Sequence, residues 1–270
     1  MQRLEPERMF GTAEGRALVG ERGEVLDSVA STMDAARERL IAGAPDGYVV
    51  VAEHQAAGRG RAGLWRCPPG LGLLLSVVLR ISLPAGEQKL IVLLGAVAAA
   101  EALGRLGVPA RIKWPNDIVV ADPEPEGLTI RKLGGVLVEQ VRVGDAAGPF
   151  VLGIGLNVNQ TRNDLPPDAV PAPTSMRIEK GQKFDRAAVC RSLLRELSAW
   201  YRRLRMGESD RILARWRRLN CLLHKRVTAR VEGRLVRGTV AGLRRSGELI
   251  LDAETGGRLF LSDQKAKLLP

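Results

Sequence analysis

Aromatic side chains are scarce in this 270-residue chain, at 4% of residues, and there are only three cysteines. Cys67, Cys190 and Cys221 show no Cys-x-x-Cys spacing, and the two histidines, His54 and His224, stand far apart. No zinc-ligand set can be read from them, and an odd thiol count argues against a disulfide scaffold. Reduced thiols and a cytoplasmic location are the expectation. Long apolar runs are missing too. The longest uncharged apolar stretch covers residues 90–100, well short of the roughly 20 residues a membrane helix needs. The N-terminus, residues 1–8, mixes acids and bases with no apolar core behind it, so no secretory signal is expected. Internal repeats and low-complexity tracts are absent. What is present is ordinary globular usage, 45% hydrophobic and 26% charged, in a length that supports one large domain with a small satellite. Lys and Arg outnumber Asp and Glu 41 to 30, a net charge of +11. That balance favours anionic partners (nucleotides, nucleic acid, acidic proteins or anionic lipid) without choosing among them.

Residues 1–23 are weakly patterned and are treated as an extension of uncertain structure. A short strand is expected at 24–27. Ser31-Thr32-Met33-Asp34 has the Ser-x-x-acid form of a capping box ahead of a helix at 33–42, which Gly43 and Pro45 stop. Strands are expected at 48–52 and 71–79, with an irregular Gly/Arg segment at 57–63 between them. Residues 87–106 read as a helix that is apolar on nearly all sides and so lies deep in the domain. Strands at 110–114 and 118–120 flank a Pro-Asn-Asp turn. An acidic, proline-containing loop is expected at 122–127, and paired strands at 135–143 and 150–156 around a turn at 144–148. A mobile loop is expected at 160–173, and helices at 187–204 and 210–219. Beyond Asn220 come short strands at 227–231, 235–240, 249–251 and 259–261. Their even spacing and tight turns predict a small antiparallel barrel. The expected division is residues 1–220 as an α/β (α+β) domain and 221–270 as an all-β tail.

Four segments carry chemical signals. Gln55-Ala56-Ala57-Gly58-Arg59-Gly60-Arg61 interleaves glycines, which let a backbone approach a ligand, with planar cationic donors for phosphate or carboxylate. A basic surface turn or an RNA-binding Arg-Gly segment reads the same residues equally well. Lys113-Trp114-Pro115-Asn116-Asp117 lies between two expected strands; a plain turn explains it too, with Trp114 in the core and Lys113 a solvated charge. Lys132-Leu133-Gly134-Gly135 places a lysine beside an opening that two glycines leave, or else a snorkelling lysine at a strand start. Gly153-Ile154-Gly155-Leu156-Asn157 marks a close backbone approach, or a strand closed by an ordinary turn.

Taken in order, Ser31-Thr32-Met33 and these segments, together with Thr174-Ser175-Met176-Arg177 and the β-rich tail, resemble the motif set of biotin protein ligases, over about residues 24–270. The resemblance implies a class II aminoacyl-tRNA synthetase-like mixed sheet followed by an SH3-like β-barrel. It implies the short form without an N-terminal DNA-binding domain, hence no repressor function. The activity it implies is a biotin–[biotin carboxyl carrier protein] ligase, with ATP and substrate-bound Mg²⁺ as cofactors and biotin as substrate. Biotin and ATP would give biotinyl-5′-AMP and pyrophosphate. A lysine of a biotin carboxyl carrier protein, of acetyl-CoA carboxylase or a related carboxylase, would then take the biotin. No specific nucleic acid and no membrane are expected as partners; a homodimer is the base-rate oligomer.

Carried over by residue, the resemblance implies biotin contacts from Ser31, Thr32, Gln55, Gly58, Arg59, Gly60, Arg61, Lys132, Gly134, Gly135 and Gly153. Nucleotide contacts would come from Arg61, Trp65, Asn116, Lys132, Gly155 and Asn157. Lys132, Arg59, Arg61 and Asp117 are the expected catalytic groups, with Asp117 orienting or deprotonating the incoming amine. No protein-held metal is expected. The chain departs from the pattern after Arg61, where Ala62-Gly63-Leu64-Trp65 is shorter and lacks further basic residues. It departs again at Ser262-Asp263, where some members place a nucleotide-reaching arginine, and at 122–127, which reads as an insertion. Two other readings fit part of the sequence. A lipoate ligase would share Lys132 and the glycine pairs, and a nucleic-acid-binding module would explain the positive charge and the small barrel.

Overall fold

The structure is a computed structural model that describes residues 3–10, 18–61, 63–84, 86–124, 127–142 and 148–269. The expected turn at 144–148, the tip of the 122–127 segment and most of residues 11–22 lie wholly or partly outside them. Helices α1 (Pro6–Met9), α2 (Thr32–Ile41), α3 (Lys89–Arg105), α4 (Met176–Lys180), α5 (Arg186–Arg205) and α6 (Ser209–Leu219) are arranged around a large mixed sheet. In chain order, the strands of that sheet and of the hairpin beside it are β1 (Gly23–Val29), β2 (Val49–Gln55), β3 (Arg59–Gly60), β4 (Gly63–Leu64), β5 (Gly72–Leu79), β6 (Arg111–Lys113), β7 (Asp117–Glu124), β8 (Gly127–Gln140), β9 (Phe150–Asn157) and β10 (Ala172–Pro173). The sheet order is β1-β2-β5-β9-β8-β7-β6. Strands β1 and β2 are parallel, β10 adds to β8 in parallel, and the remaining pairs are antiparallel.

Alternation sorts β9 into two faces, as a strand's period of two requires. Phe150, Leu152, Ile154 and Leu156 join the main core under α3, whereas Val151 packs with Met33 and Ala36 of α2 on the other face. The glycines Gly153 and Gly155 share that second face. Helix α3 is buried along most of its length, from Leu90 to Leu103, between the sheet and helices α5 and α6. Gly95 allows the close approach: a Cβ there would lie 2.9 Å from side-chain carbons of Leu152 and Val136. Each fully buried leucine or valine in this layer contributes about 1.5–3 kcal/mol. Helix α2 starts at Ser31, whose Oγ accepts from the Met33 amide at 3.3 Å. The expected second half of a capping box is not made, because the Asp34 carboxylate turns to Arg59 instead.

Several expectations change in detail. The Gly/Arg segment holds regular structure after all, in the two-residue strands β3 and β4 paired Arg59 to Leu64 and Gly60 to Gly63. The acidic segment at 122–127 is no loop along its flanks: β7 and β8 stay paired there, Asp122 opposite Thr129 and Glu124 opposite Gly127. The loop expected at 160–173 includes a 3-10 turn, Arg162–Asp164, and β10. The five-residue helix α4, capped by the Ser175 side chain, was not anticipated.

After Asn220 the strands β11 (Arg226–Val231), β12 (Arg234–Leu243), β13 (Leu249–Ala253), β14 (Arg258–Leu261) and β15 (Ala266–Leu268) form one antiparallel sheet in the order β14-β13-β12-β11-β15. A bulge between Val240 and Gly242 bends β12. This sheet, of the SH3-like kind, is joined firmly to the larger part. The Trp114 Nε1 donates to the Gly247 carbonyl at 3.1 Å, Lys89 pairs with Asp263 at 2.7 Å, and the Cys221 amide donates to the Ile112 carbonyl at 3.0 Å.

Candidate active site

A cleft of about 1700 Å³ runs from the N-terminus of α2, across the glycine face of β8 and β9, to the wall of the C-terminal sheet. It is larger than a small-molecule pocket needs. Nine Lys or Arg residues line it (Arg59, Arg61, Arg66, Lys113, Lys132, Lys225, Arg226, Arg237 and Lys267), against two acids, Asp117 and Glu254. Glu254 is already paired with Arg226. The cleft is therefore built for anions.

At one end lies a neutral polar set. The Gln55 Oε1 accepts from the Thr32 amide at 2.7 Å and from the Thr32 hydroxyl at 2.9 Å, and the Ser76 hydroxyl donates to Thr32 Oγ1 at 2.9 Å. Ser31 and Thr32 are almost fully buried. The Gln55 amide NH₂ is left to face the cleft and Gly58, whose Cβ would lie 2.6 Å from it.

Lys132 reaches the cleft because β8 changes phase. Val119 pairs with Lys132 and Ile118 with Gly134, so Leu133 is an extra residue. Such a bulge re-aims side chains. Before it Ile130 and Lys132 face the cleft, and after it Gly135 and Leu137 do. The Lys132 ammonium pairs with Asp117 Oδ1 at 2.6 Å and lies 5.9 Å from the centre of the Trp65 ring. Trp65 lies flat against Gly155, where a Cβ would meet its Cε2 at 2.7 Å. Its buried Nε1 has no hydrogen-bond partner among the described residues.

Every residue singled out from the sequence lines this cleft except Gly58 and Gly134. Gly58 borders a smaller neighbouring cavity beside Gln55 and Cys67. Gly134 faces the neighbouring strand, and its missing Cβ makes room for the Gly155 carbonyl, 2.5 Å from where that carbon would sit. Gly153 makes room for Met33, whose Sδ would lie 2.4 Å from a Cβ, so this glycine also serves packing. Of the four glycines on β8 and β9, only Gly135 has room for a Cβ, its nearest neighbours at 3.8 Å or beyond. Asn116 donates to the Val136 carbonyl at 2.7 Å. Asn157 donates to the Thr174 carbonyl at 2.9 Å and accepts from Gln160 at 3.0 Å, so both ends of its amide are engaged.

Arg59 does not stand free either. Its guanidinium makes two bonds to Asp34, at 2.6 and 2.8 Å, and three longer ones to Glu139, at 3.2 to 3.5 Å. The hydrogen bond from Arg59 holds the Asp34 carboxyl below its ordinary range. Arg61 instead donates to the Asp263 carbonyl at 3.2 Å, tying the hairpin to the C-terminal sheet.

Lys113, a solvated charge in the plain-turn reading, is half-buried and lines the cleft. Burial lowers its affinity for a proton; nearby Lys132 and Arg61 push the same way, and Asp117 and Cys221 oppose them. Burial pushes the Cys221 thiol up to about 11. The basic barrel wall, Lys225, Arg237 and Lys267, was also missed; only the common strand face of Arg237 and Lys267 could have hinted at it.

A family model described as the biotin/lipoate A/B protein ligase family matches residues 25–158. The bifunctional ligase/repressor BirA of Bacillus subtilis is 32% identical over 232 residues, 85% of this chain and 69% of that protein. The biotin–[acetyl-CoA-carboxylase] ligase of Mycobacterium tuberculosis is 32% identical over 244 residues, 87% of this chain and 84% of the relative. Among solved structures, a biotin protein ligase from Aquifex aeolicus in complex with biotin and ATP superposes with a TM-score of 0.74 at 24% identity, over 92% of this chain and 99% of that one.

Proposed function

The chain belongs to the biotin/lipoate A/B protein ligase family, and from that membership we propose that it is an ATP-dependent biotin–protein ligase working in two half-reactions. In the first, a biotin carboxylate oxygen attacks the α-phosphorus of ATP. The bond from that phosphorus to the bridging oxygen breaks, and biotinyl-5′-adenylate and pyrophosphate result. In the second, the neutral ε-amine of a lysine on the carboxylase carrier protein attacks the acyl carbon. The amide forms, AMP leaves, and the amine gives up a proton.

The observation that supports this most is the charge of the cleft, nine cations to two acids. Both substrates are anions, and bringing them to bonding distance needs fixed positive charge and positioning rather than covalent help. Lys132 is placed to meet the carboxylate and the α-phosphate, with Asp117 fixing its ammonium and orienting the incoming amine. Thr32, Ser31 and the free NH₂ of Gln55 suit the uncharged polar end of biotin, and Gly135 leaves the opening beside it. The Trp65 indole offers an adenine a stacking face. Arg59 and Arg61 hold the β3–β4 hairpin over the cleft. Asn157 fixes Thr174 and Gln160 with one N–H and one lone pair, which leaves a second N–H for the purine.

A magnesium ion fits the donor set in one way only. Among the described residues no cluster of three or more His, Cys, Asp or Glu could hold it, so substrate phosphate oxygens would supply most of its ligands. When bound, the ion neutralises phosphate charge. A homodimer, a cytoplasmic location and the absence of specific nucleic-acid binding complete the reading. Light scattering, cell fractionation and a DNA titration check them.

The test is direct. Incubated with biotin, ATP and a carrier domain, the protein is expected to add one biotinyl group to a single lysine, read by mass spectrometry. Lys132→Ala is expected to lose adenylate formation while keeping its circular dichroism spectrum. Failure to form the adenylate, or a preference for lipoate over biotin, overturns the reading.

A further inference from the structure

Three cations share the inner part of the cleft, and the structure treats them differently. Arg59 is held by Asp34 and Glu139, and Lys132 by Asp117. Lys113 makes no ion pair or hydrogen bond through its side chain with any described residue. Strand order explains why. Lys113 on β6 stands directly across from Asp117 on β7, which stands directly across from Gly135 on β8. A single carboxylate thus lies between two ammonium groups, and Lys132 has taken it. Strands β6 and β8 lie two strand spacings, roughly 10 Å, apart. Lys113 is on the outer side, towards the basic wall of the C-terminal sheet.

A half-buried ammonium without a counter-charge costs stability. Its presence in a cleft lined by anion-binding groups makes sense if an anion comes to it. Resting on the ligase reading above, we infer that Lys113 is the group that receives the departing pyrophosphate in adenylate formation. As the bond from the α-phosphorus breaks, its electron pair stays on the bridging oxygen. The negative charge then grows on the leaving side, away from Lys132 and towards Lys113. No proton has to move onto the lysine or off it. A cation placed there stabilises the transition state more than the ground state. It also gives pyrophosphate a binding site for the reverse reaction.

The groups that face Lys113 are Asp117 from β7, Lys132 from β8, Arg61 from the hairpin and Cys221 beyond α6. Burial, with the two other cations, lets Lys113 shed its proton below the usual lysine value of 10.5. In the free enzyme its contribution is therefore lost on the alkaline side.

The experiment is biotin-dependent exchange of labelled pyrophosphate into ATP, measured on the full chain for wild type, Lys113→Met and Lys113→Arg. Lys113→Met is expected to raise the KM for pyrophosphate by about tenfold to a hundredfold, the range a lost charge-assisted contact gives. Biotin affinity without ATP should stay within about twofold, and the melting temperature should match or exceed wild type, because a buried unpaired charge has gone. Lys113→Arg should recover part of the exchange and carry the alkaline limb of kcat/KM to higher pH. An unchanged pyrophosphate KM in Lys113→Met, a matching loss of biotin affinity, or a fall in melting temperature overturns the inference. If the wild type itself shows no biotin-dependent exchange, the ligase reading fails instead.

Discussion

At the scale of single residues, the four glycines Gly134, Gly135, Gly153 and Gly155 of β8 and β9 divide by what their missing Cβ makes room for. Gly134 accommodates a backbone carbonyl, Gly153 the Met33 side chain and Gly155 the Trp65 ring, whereas Gly135 crowds against nothing closer than 3.8 Å. Alanine at each should therefore behave differently. Gly134→Ala is expected to destabilise the chain by about 1–3 kcal/mol, since a carbonyl in a paired strand cannot step aside. Gly135→Ala should cost less than about 0.5 kcal/mol yet weaken ligand binding, because it fills the opening beside Lys132 and Asp117. Urea titration and biotin calorimetry on the two variants check this pair; equal stability losses would contradict it. The glycine pairs themselves were legible in the sequence, but their division was not. It depends on which residue stands across a strand pair or atop a helix, and Met33 and Trp65 are some 120 and 90 positions away along the chain from their glycines. The partners of Arg59 were hidden for the same reason. Its spacing announced an anion contact, while Asp34 and Glu139, which occupy it, are distant in sequence.

At the scale of elements, strand existence followed from alternation and β-branched runs, and helix α3 from its uniform apolarity. What the periodicity hid was the bulge at Leu133, since it changes the phase inside one strand. Short elements pinned by side chains were hidden as well. Helix α4 and strand β10 are tied to β8 through Glu179, which accepts from Arg131 at 2.8 and 2.9 Å and from the Thr174 hydroxyl at 2.6 Å. The hydrogen bond from Arg131, opposed by burial and aided by Thr174, holds the Glu179 carboxyl below its usual value. The sign of the linkage follows. A depressed carboxyl binds its proton less readily when folded, so its stabilisation is present above the unfolded value of about 4.3 and is lost as pH falls through the folded value. Glu179→Gln is expected to cost on the order of 1–3 kcal/mol at neutral pH. The gap to wild type should narrow in acid, as read by denaturant titration at pH 7 and below pH 4. A gap independent of pH would mean that the pair is screened and contributes little.

At the scale of the whole molecule, the change of texture near Asn220 was visible as a run of short strands, but its mechanical meaning was not. Placing a boundary at 220 remains our proposal, and the energetics argue that it divides topology rather than stability. One hydrophobic cluster runs from Trp114, Ile112 and Leu219 into Leu222, Val240, Leu243 and Leu251. The Trp114 bond to Gly247, the Lys89–Asp263 and Arg245–Glu87 pairs, and the Arg61 bond to Asp263 cross the same seam. Severing this seam would bare apolar surface on both sides, so neither part should melt before the other. A single calorimetric transition is expected, with equal calorimetric and van't Hoff enthalpies. The cleft draws its walls from both parts, so a ligand filling it should raise that one transition as a unit. Biotin with a non-hydrolysable ATP analogue, each at about a hundred times its dissociation constant, should add roughly 2.7 kcal/mol per independent site. Two resolved transitions, or a ligand shift confined to one of them, would show that the cleft wall from the C-terminal sheet takes no part in holding the substrates.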